Sequence, residues 1–157
     1  GQKPYWRDVG TLDSYWQAHM DLLGEDPEFD LFNAKWPLRS HHPPVPPAKV
    51  LDIPGRQRTH VSNSSLASGC LIRNATLERS VLGYNVDVRP GCEIRESVLM
   101  GDVKIGENCR ILRAIIDKEV EIAPGTVIGE NADDDRQRFK VSPAGIVVIP
   151  KGARIGF

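Results

Sequence analysis

The chain has little net charge, few aromatic residues, three cysteines and four histidines. Twenty Lys and Arg stand against twenty-one Asp and Glu, a net charge of −1. That balance supplies no bulk attraction for a nucleic acid or a membrane surface, and neither is an expected partner. No apolar run approaches the roughly 18 residues of a membrane span. The start GQKPYWRDVG is polar and aromatic and is not the pattern of a signal peptide. The cysteines, Cys70, Cys92 and Cys109, lack CxxC spacing, which argues against a zinc cluster. Free thiols in a reducing cytoplasm are expected. With 157 residues, 40% hydrophobic and only 6% aromatic, the length suits one core plus a flanking segment.

What is present is a repeat. Written in rows of seventeen from Ser80, the chain reads SVLGYNVDVRPGCEIRE, SVLMGDVKIGENCRILR and AIIDKEVEIAPGTVIGE. Leu82, Leu99 and Ile116 share one column, Val88, Ile105 and Ile122 a second, and Ile94, Ile111 and Ile128 a third. A row one residue shorter, Ser64 to Arg79, puts Leu66, Ile72 and Leu77 in the same columns. Two positions before each aliphatic residue sits a small or slim one, such as Ser80, Val86 or Cys92. Steps of six, six and five give no i, i+3, i+4 stripe, and β-branched residues dominate, so a helix is excluded. A short fixed period marks a solenoid. The spacing predicts a parallel β-helix with three flat faces per coil, each column becoming a ladder of buried side chains about 4.8 Å apart.

Ahead of the coils, Thr11 is the predicted N-cap of a helix from Leu12 to about Leu23, stopped by Gly24. Its apolar face comprises Leu12, Tyr15, Trp16, His19, Leu22 and Leu23 and needs a surface to cover. The proline-rich stretch that follows, including HHPPVPP, reads as a stiff extended connector pinned by Phe32 and Trp36. Gly55 to His60 reads as a loop. After Glu130 the pattern breaks at ENADDDRQRFKVSPAG, a charged loop off one corner, and resumes at Val147, Ile149, Ala153 and Ile155. The lead-in before Arg7 begins abruptly for a domain start, and the coil that ends at Phe157 is unfinished.

Hexapeptide coils often serve acyltransferases, which need a histidine on a coil. His19, His41, His42 and His60 all fall outside the predicted coils, which also disfavours a three-histidine zinc site. Asp133, Asp134 and Asp135 are expected in an acidic loop near Arg136 and Arg138. The basic residues of the coils point mainly outward. Lys118 and Lys151 differ by lying at corners, where point charges from separate turns can converge on a phosphate.

PYWRDVGTLDSYW at Pro4–Trp16, WPLR at Trp36–Arg39, PPAK at Pro46–Lys49 and IIDKEVEIAPGTVIGENADDDRQRFKVSPAGIVVI at Ile115–Ile149 resemble the ADP-glucose pyrophosphorylase (glucose-1-phosphate adenylyltransferase) family. The resemblance covers nearly the whole chain in order. It implies a mainly β fold, a left-handed β-helix preceded by one helix and a Pro-rich linker. Residues 1–24 would be a remnant of the nucleotidyltransferase domain, 25–60 the linker, and 61–157 the β-helix, with an insertion at about 131–145. The family joins ATP and glucose 1-phosphate to give ADP-glucose and pyrophosphate for glycogen or α-glucan synthesis. Its β-helix serves regulation and tetramer formation.

By the same resemblance Asp8 corresponds to one of two carboxylates that hold the catalytic magnesium, and Trp6 lines the sugar-phosphate pocket. Lys118 and Lys151 fall where the family binds small anionic effectors. The family's Gly-rich nucleotide loop is absent from this chain, so the expectation is a regulatory and assembly piece, inactive alone and holding no magnesium. Its expected partners are its own catalytic domain and further copies of itself. The alternatives are an assembly module without a ligand and an acyltransferase.

Overall fold

Each row of the repeat winds once around a three-sided prism. The computed structural model describes residues 5–157, so Pro4 of the PYWRDVGT block lies outside the described residues. The first face stacks Lys49–Leu51, Leu71–Arg73, Asp87–Val88, Lys104–Ile105, Glu121–Ile122 and Arg154–Ile155, all parallel. The second stacks His60–Ser62, Thr76–Glu78, Glu93–Arg95, Arg110–Leu112 and Val127–Ile128. The third runs Ser65–Leu66, Val81–Leu82, Val98–Leu99, Ala114–Ile116 and Val147–Ile149. A single antiparallel strand, Lys140–Val141, closes that face. Lys104 pairs with Glu121 and Val98 with Ile115, at the seventeen-residue period. Leu71 pairs with Asp87 and His60 with Thr76, at the sixteen of the shorter row. The predicted β-helix and its columns are the fold.

The prism holds one core. Leu82, Leu99, Ile116 and Ile149 form one ladder, Ile72, Val88, Ile105 and Ile122 another, and Leu77, Ile94, Ile111 and Ile128 the third, all buried. Every corner turns through a left-handed residue, and these also fall in columns. Asn63, Arg79, Glu96 and Arg113 form one; Asn85, Asp102 and Glu119 a second; Asn74 and Asn108 a third, with glycine at Gly91 and Gly125. Asparagine, aspartate and glycine tolerate this conformation best; arginine and glutamate carry some strain there.

The small positions do more than leave space. Ser80 Oγ donates to Glu78 O at 2.9 Å and accepts from Ser97 N–H at 3.2 Å. Ser97 Oγ donates to Arg95 O at 2.7 Å and accepts from Ala114 N–H at 3.1 Å. Each hydroxyl closes its own corner and anchors the next coil. Ser97→Ala therefore removes a buried donor and acceptor together, and should cost about 1–3 kcal/mol. Urea unfolding checks this, and a loss under about 0.5 kcal/mol, the scale of an ordinary surface change, would deny the ladder its role. On the second face the small column is Ala75, Cys92, Cys109 and Thr126. The three cysteines are free and buried. Cys92 Sγ donates to Gly106 O at 3.0 Å, and the neighbouring Cys109, together with burial, pushes its thiol up.

Helix α1, Leu12–Asp21, starts at the predicted cap: Thr11 and Ser14 form a reciprocal capping box. It ends at Asp21, with Leu22 as C-cap, slightly before the predicted Leu23. It lies on the outer side of the third face, where Trp16 and Met20 are buried with Val98, Ile115 and Ile146. The other two faces carry ion pairs outside, such as Lys104 Nζ to Glu121 at 3.0 Å and Arg110 to Glu130 at 2.7 Å. The third face has Val81, Val98, Ile115 and Val148 there instead, which gives the helix an apolar seat.

Three expectations are corrected. The connector does not extend to residue 60 as a uniform linker. Lys49–Leu51 and His60–Ser62 already pair with the coils, because Val50 and Val61 align with Ile72 and Leu77. His60 thus lies on a coil strand, exposed, rather than in a loop. Phe32 and Trp36 do not pin the connector; they are 93% and 74% exposed. Tyr84 holds it instead, donating from Oη to His41 O at 2.8 Å. The insertion is not a plain loop. It contains helix α2, Ala132–Arg138, capped by Asn131, followed by a hairpin onto the third face. Asp133 and Asp134 form the first turn of α2 and pair with Arg136 and Arg138. Asp135 is buried and accepts from Gly129 N–H with both oxygens, at 3.2 and 3.1 Å. Among the described residues no helix is long and apolar enough to cross a membrane.

Candidate effector corner and the Asp8 turn

Lys118 and Lys151 lie thirty-three residues apart, close to two coil lengths, yet they occupy adjacent coils. The excursion after Ile128 consumes about one coil of sequence before the third face resumes. Ile116 pairs directly with Ile149, and the lysines follow two residues later on both strands. Gly152 N–H donates to Lys118 O at 2.9 Å, which locks the two corners one above the other. The sequence-predicted lysines are therefore brought together.

The corner is not uniformly positive. Lys151 Nζ pairs with Glu119 Oε1 at 3.1 Å, and both side chains are more than half exposed. Asp117 Oδ1 accepts the Lys118 N–H at 2.7 Å. The Lys118 ammonium is exposed and has no ion-pair partner among the described residues. Such a corner can take an anion from solvent: Lys118 is available at once, and Lys151 becomes available when Glu119 yields it. The charge of Asp117 is also felt by Tyr15 of the helix. Burial, then the charge of Asp117, pushes the Tyr15 phenol up.

Among the described residues no hydrogen bond or ion pair links Asp8 or Trp6 to this corner. Asp8 Oδ1 accepts the Gly10 N–H at 2.9 Å, an ordinary turn that leads to the Thr11 cap. Trp6 is 82% exposed and packs under nothing. Magnesium requires near-octahedral oxygen coordination, usually with more than one carboxylate or phosphate. Asp8 supplies one carboxylate already engaged by its own turn. Among the described residues no three His, Cys, Asp or Glu side chains cluster to hold a metal. The residues present do not compose a magnesium site.

A family model described as GlmU-like, C-terminal hexapeptide matches residues 46–149, two thirds of the chain. The chain belongs to this family. Its match begins at Pro46, just ahead of the first rung at Lys49–Leu51. Among curated relatives, the chain is 54% identical over 153 residues to glucose-1-phosphate adenylyltransferase of Photobacterium profundum, covering 98% of this chain and 38% of that protein. It is 51% identical to glucose-1-phosphate adenylyltransferase 1 of Vibrio parahaemolyticus, covering 99% and 38%. It is 47% identical to glucose-1-phosphate adenylyltransferase of Methylococcus capsulatus, covering 95% and 35%. The chain thus spans under two fifths of the length of these relatives. Their similarity includes the α1 segment ahead of the family-model match.

Sequence reasoning missed the residues that join α1 to the coils. Met20 was left off the apolar face, although its position four after Trp16 marks it. Arg113 is one of the basic coil residues expected to point outward. Its column with Arg79 and Glu96 was the available signal, but nothing in the repeat shows which faces carry a helix.

Proposed function

We propose that this chain is the effector-responsive, subunit-assembling part of a glucose-1-phosphate adenylyltransferase, and does not transfer nucleotide alone. The observation that carries the reading is the similarity along almost the whole chain to those enzymes, of which it spans 38%. In the complete enzyme, ATP and glucose 1-phosphate would react to ADP-glucose and pyrophosphate outside these coils. The coils would bind a small phosphorylated or carboxylated effector at Lys118 and Lys151. Asp8 would contribute to a magnesium site, and Trp6 to the sugar-phosphate pocket, only with the remaining part of the protein in place. Phosphoryl-type chemistry depends on positioning and charge stabilisation of the phosphates, and the 157 residues contain no Gly-rich phosphate loop.

Pyrophosphate release from ATP and glucose 1-phosphate with magnesium tests the silent half of this reading. The expected rate is background. A turnover on the order of 1–1000 per second would overturn it. Assembly into a homotetramer is supported by the open edge strand Lys49–Leu51 of the first face and by exposed Val50 on it. Sedimentation at micromolar concentration should show a dimer or larger, and a strict monomer would remove the assembly role from this piece.

A further inference from the structure

Helix α1 rests on the two strands whose ends carry the lysines. Ile115 is the outward residue of Ala114–Ile116, and Val148 that of Val147–Ile149; both pack in the cluster of Trp16 and Met20. The excursion returns along the same seat. Ile146 is fully buried in this cluster. Two residues earlier, Ala144 N–H donates to Asp13 Oδ2 of the helix at 3.3 Å, and Ala144 O accepts from Arg113 Nη2 at 3.0 Å.

Arg113 gathers the contacts. Its guanidinium lies 5.1 Å from the Trp16 ring centroid, a cation–π distance. It also faces Glu96 Oε2 at 3.8 Å, while Trp16 Nε1 donates to Glu96 O at 2.7 Å. From Ala144 the chain runs without a break through Val147–Ile149 to Lys151. On the neighbouring strand, Asp117 accepts the Lys118 N–H, and its charge helps push the Tyr15 phenol of the helix up. The helix is therefore tied to the excursion that feeds the Lys151 strand and packed on the strand that ends at Lys118.

We propose that Arg113 and the hairpin turn 142–145 clamp helix α1 to these strands, making the helix the receiver of an anion bound at Lys118 and Lys151. Arg113 is the positioning residue. The proposal rests on the effector reading given above and adds the path by which binding leaves the corner. A bound anion competes with Glu119 for Lys151 and draws the two strand ends toward a shared charge. The hairpin and Arg113 pass that adjustment to Asp13 and Trp16. A ligand shifts a structure only through contacts that differ between states, and the Glu119 pair is such a contact.

The test titrates the isotope-labelled 157-residue chain with inorganic phosphate, against chloride at matched ionic strength. NMR follows the Lys118 and Lys151 amides and the Trp16 indole N–H. Phosphate should move all three with one half-saturation. Arg113→Asn should reduce the Trp16 response several-fold while the lysine amides still move. Asparagine suits the left-handed backbone at Arg113, whose φ is 49°, so backbone strain does not confound the change. If that variant loses its folded circular dichroism, Asp13→Asn weakens the same clamp from the helix side. Lysine amides that move while Trp16 stays still would overturn the clamp and leave the effector corner standing. So would an undiminished Trp16 response in both variants. No phosphate-specific response at the lysines would overturn the effector reading and the clamp with it.

Discussion

Gly129→Ala is expected to cost about 3 kcal/mol or more of stability, through backbone strain combined with steric overlap and a lost buried contact. Gly129 is where the chain leaves the coil. Its φ is +87°, and a Cβ there would sit 1.8 Å from Leu112 O and 2.8 Å from Leu112 C. Those atoms belong to the strand above, so they cannot yield without moving a rung. The N–H of Gly129 is also what the buried Asp135 carboxylate accepts. Displacing it strands a buried charge, and an orphaned buried acceptor adds about 1–3 kcal/mol. In thermal unfolding a loss of about 3 kcal/mol corresponds to roughly 6–12 °C for a chain of this size. Gly125→Ala is the control: its φ is +74° but nothing lies within 4 Å of the added Cβ. That variant should show the strain alone, of order 1 kcal/mol. Equal losses in the two variants would mean that the close approach to Leu112 is relieved elsewhere and the latch is not there.

The contrast between those glycines shows how far the repeat could be read. A ladder of like residues at a fixed period identifies its own neighbours, so Leu99 above Ile116 follows from spacing alone. The excursion breaks that logic. Nothing in ENADDDRQRFKVSPAG has the repeat period, and Asp133 and Asp134 differ from buried Asp135 only through the three-dimensional path back to Gly129. The first rung was misplaced for a related reason. Val50 and Val61 are eleven residues apart, with a loop and Pro54 between them, so the step of five or six is hidden although both strands pair in register. Phe32 and Trp36 show the opposite error. Large rings invite burial, but the described residues around them offer no surface that covers them.

The corner lysines were legible as residues, not as a pair. Their spacing of thirty-three looks like two coils, and only the excursion makes it one. Glu119, the current partner of Lys151, could not be assigned from sequence because it belongs to the coil above. Helix α1 was recognisable from its cap and apolar positions. Its seat was not, since choosing the third face requires knowing that Val81, Val98, Ile115 and Val148 all point outward there.

In the complete enzyme, Lys118→Ala and Lys151→Ala should each weaken the response to a phosphorylated or carboxylated effector by about tenfold or more, with basal turnover little changed. A charge-assisted hydrogen bond contributes about 1.5–3 kcal/mol. Both lysines are solvent-exposed, which places each near the lower end of that range. Allosteric coupling is itself only about 1–3 kcal/mol, so removing both charges should abolish most of the response. Lys118 should matter more at first contact, because Lys151 must leave Glu119 before it can bind the anion. That ordering gives a change of opposite sign. Glu119→Gln removes the competitor while keeping size and hydrogen bonding, and should tighten effector binding. Lys→Arg at either position should retain part of the effect, as the charge remains but its geometry changes. All these differences should shrink as salt is raised, because exposed charges are screened within about 8 Å at physiological ionic strength. Effector titrations at fixed substrate, at low and physiological salt, measure every term. Unchanged half-saturation in both alanine variants, together with no gain in Glu119→Gln, would reduce the corner to ordinary surface charge. A loss in the alanine variants matched by an equal loss in Glu119→Gln would point to the Lys151–Glu119 pair as a structural tie rather than a gate on the site.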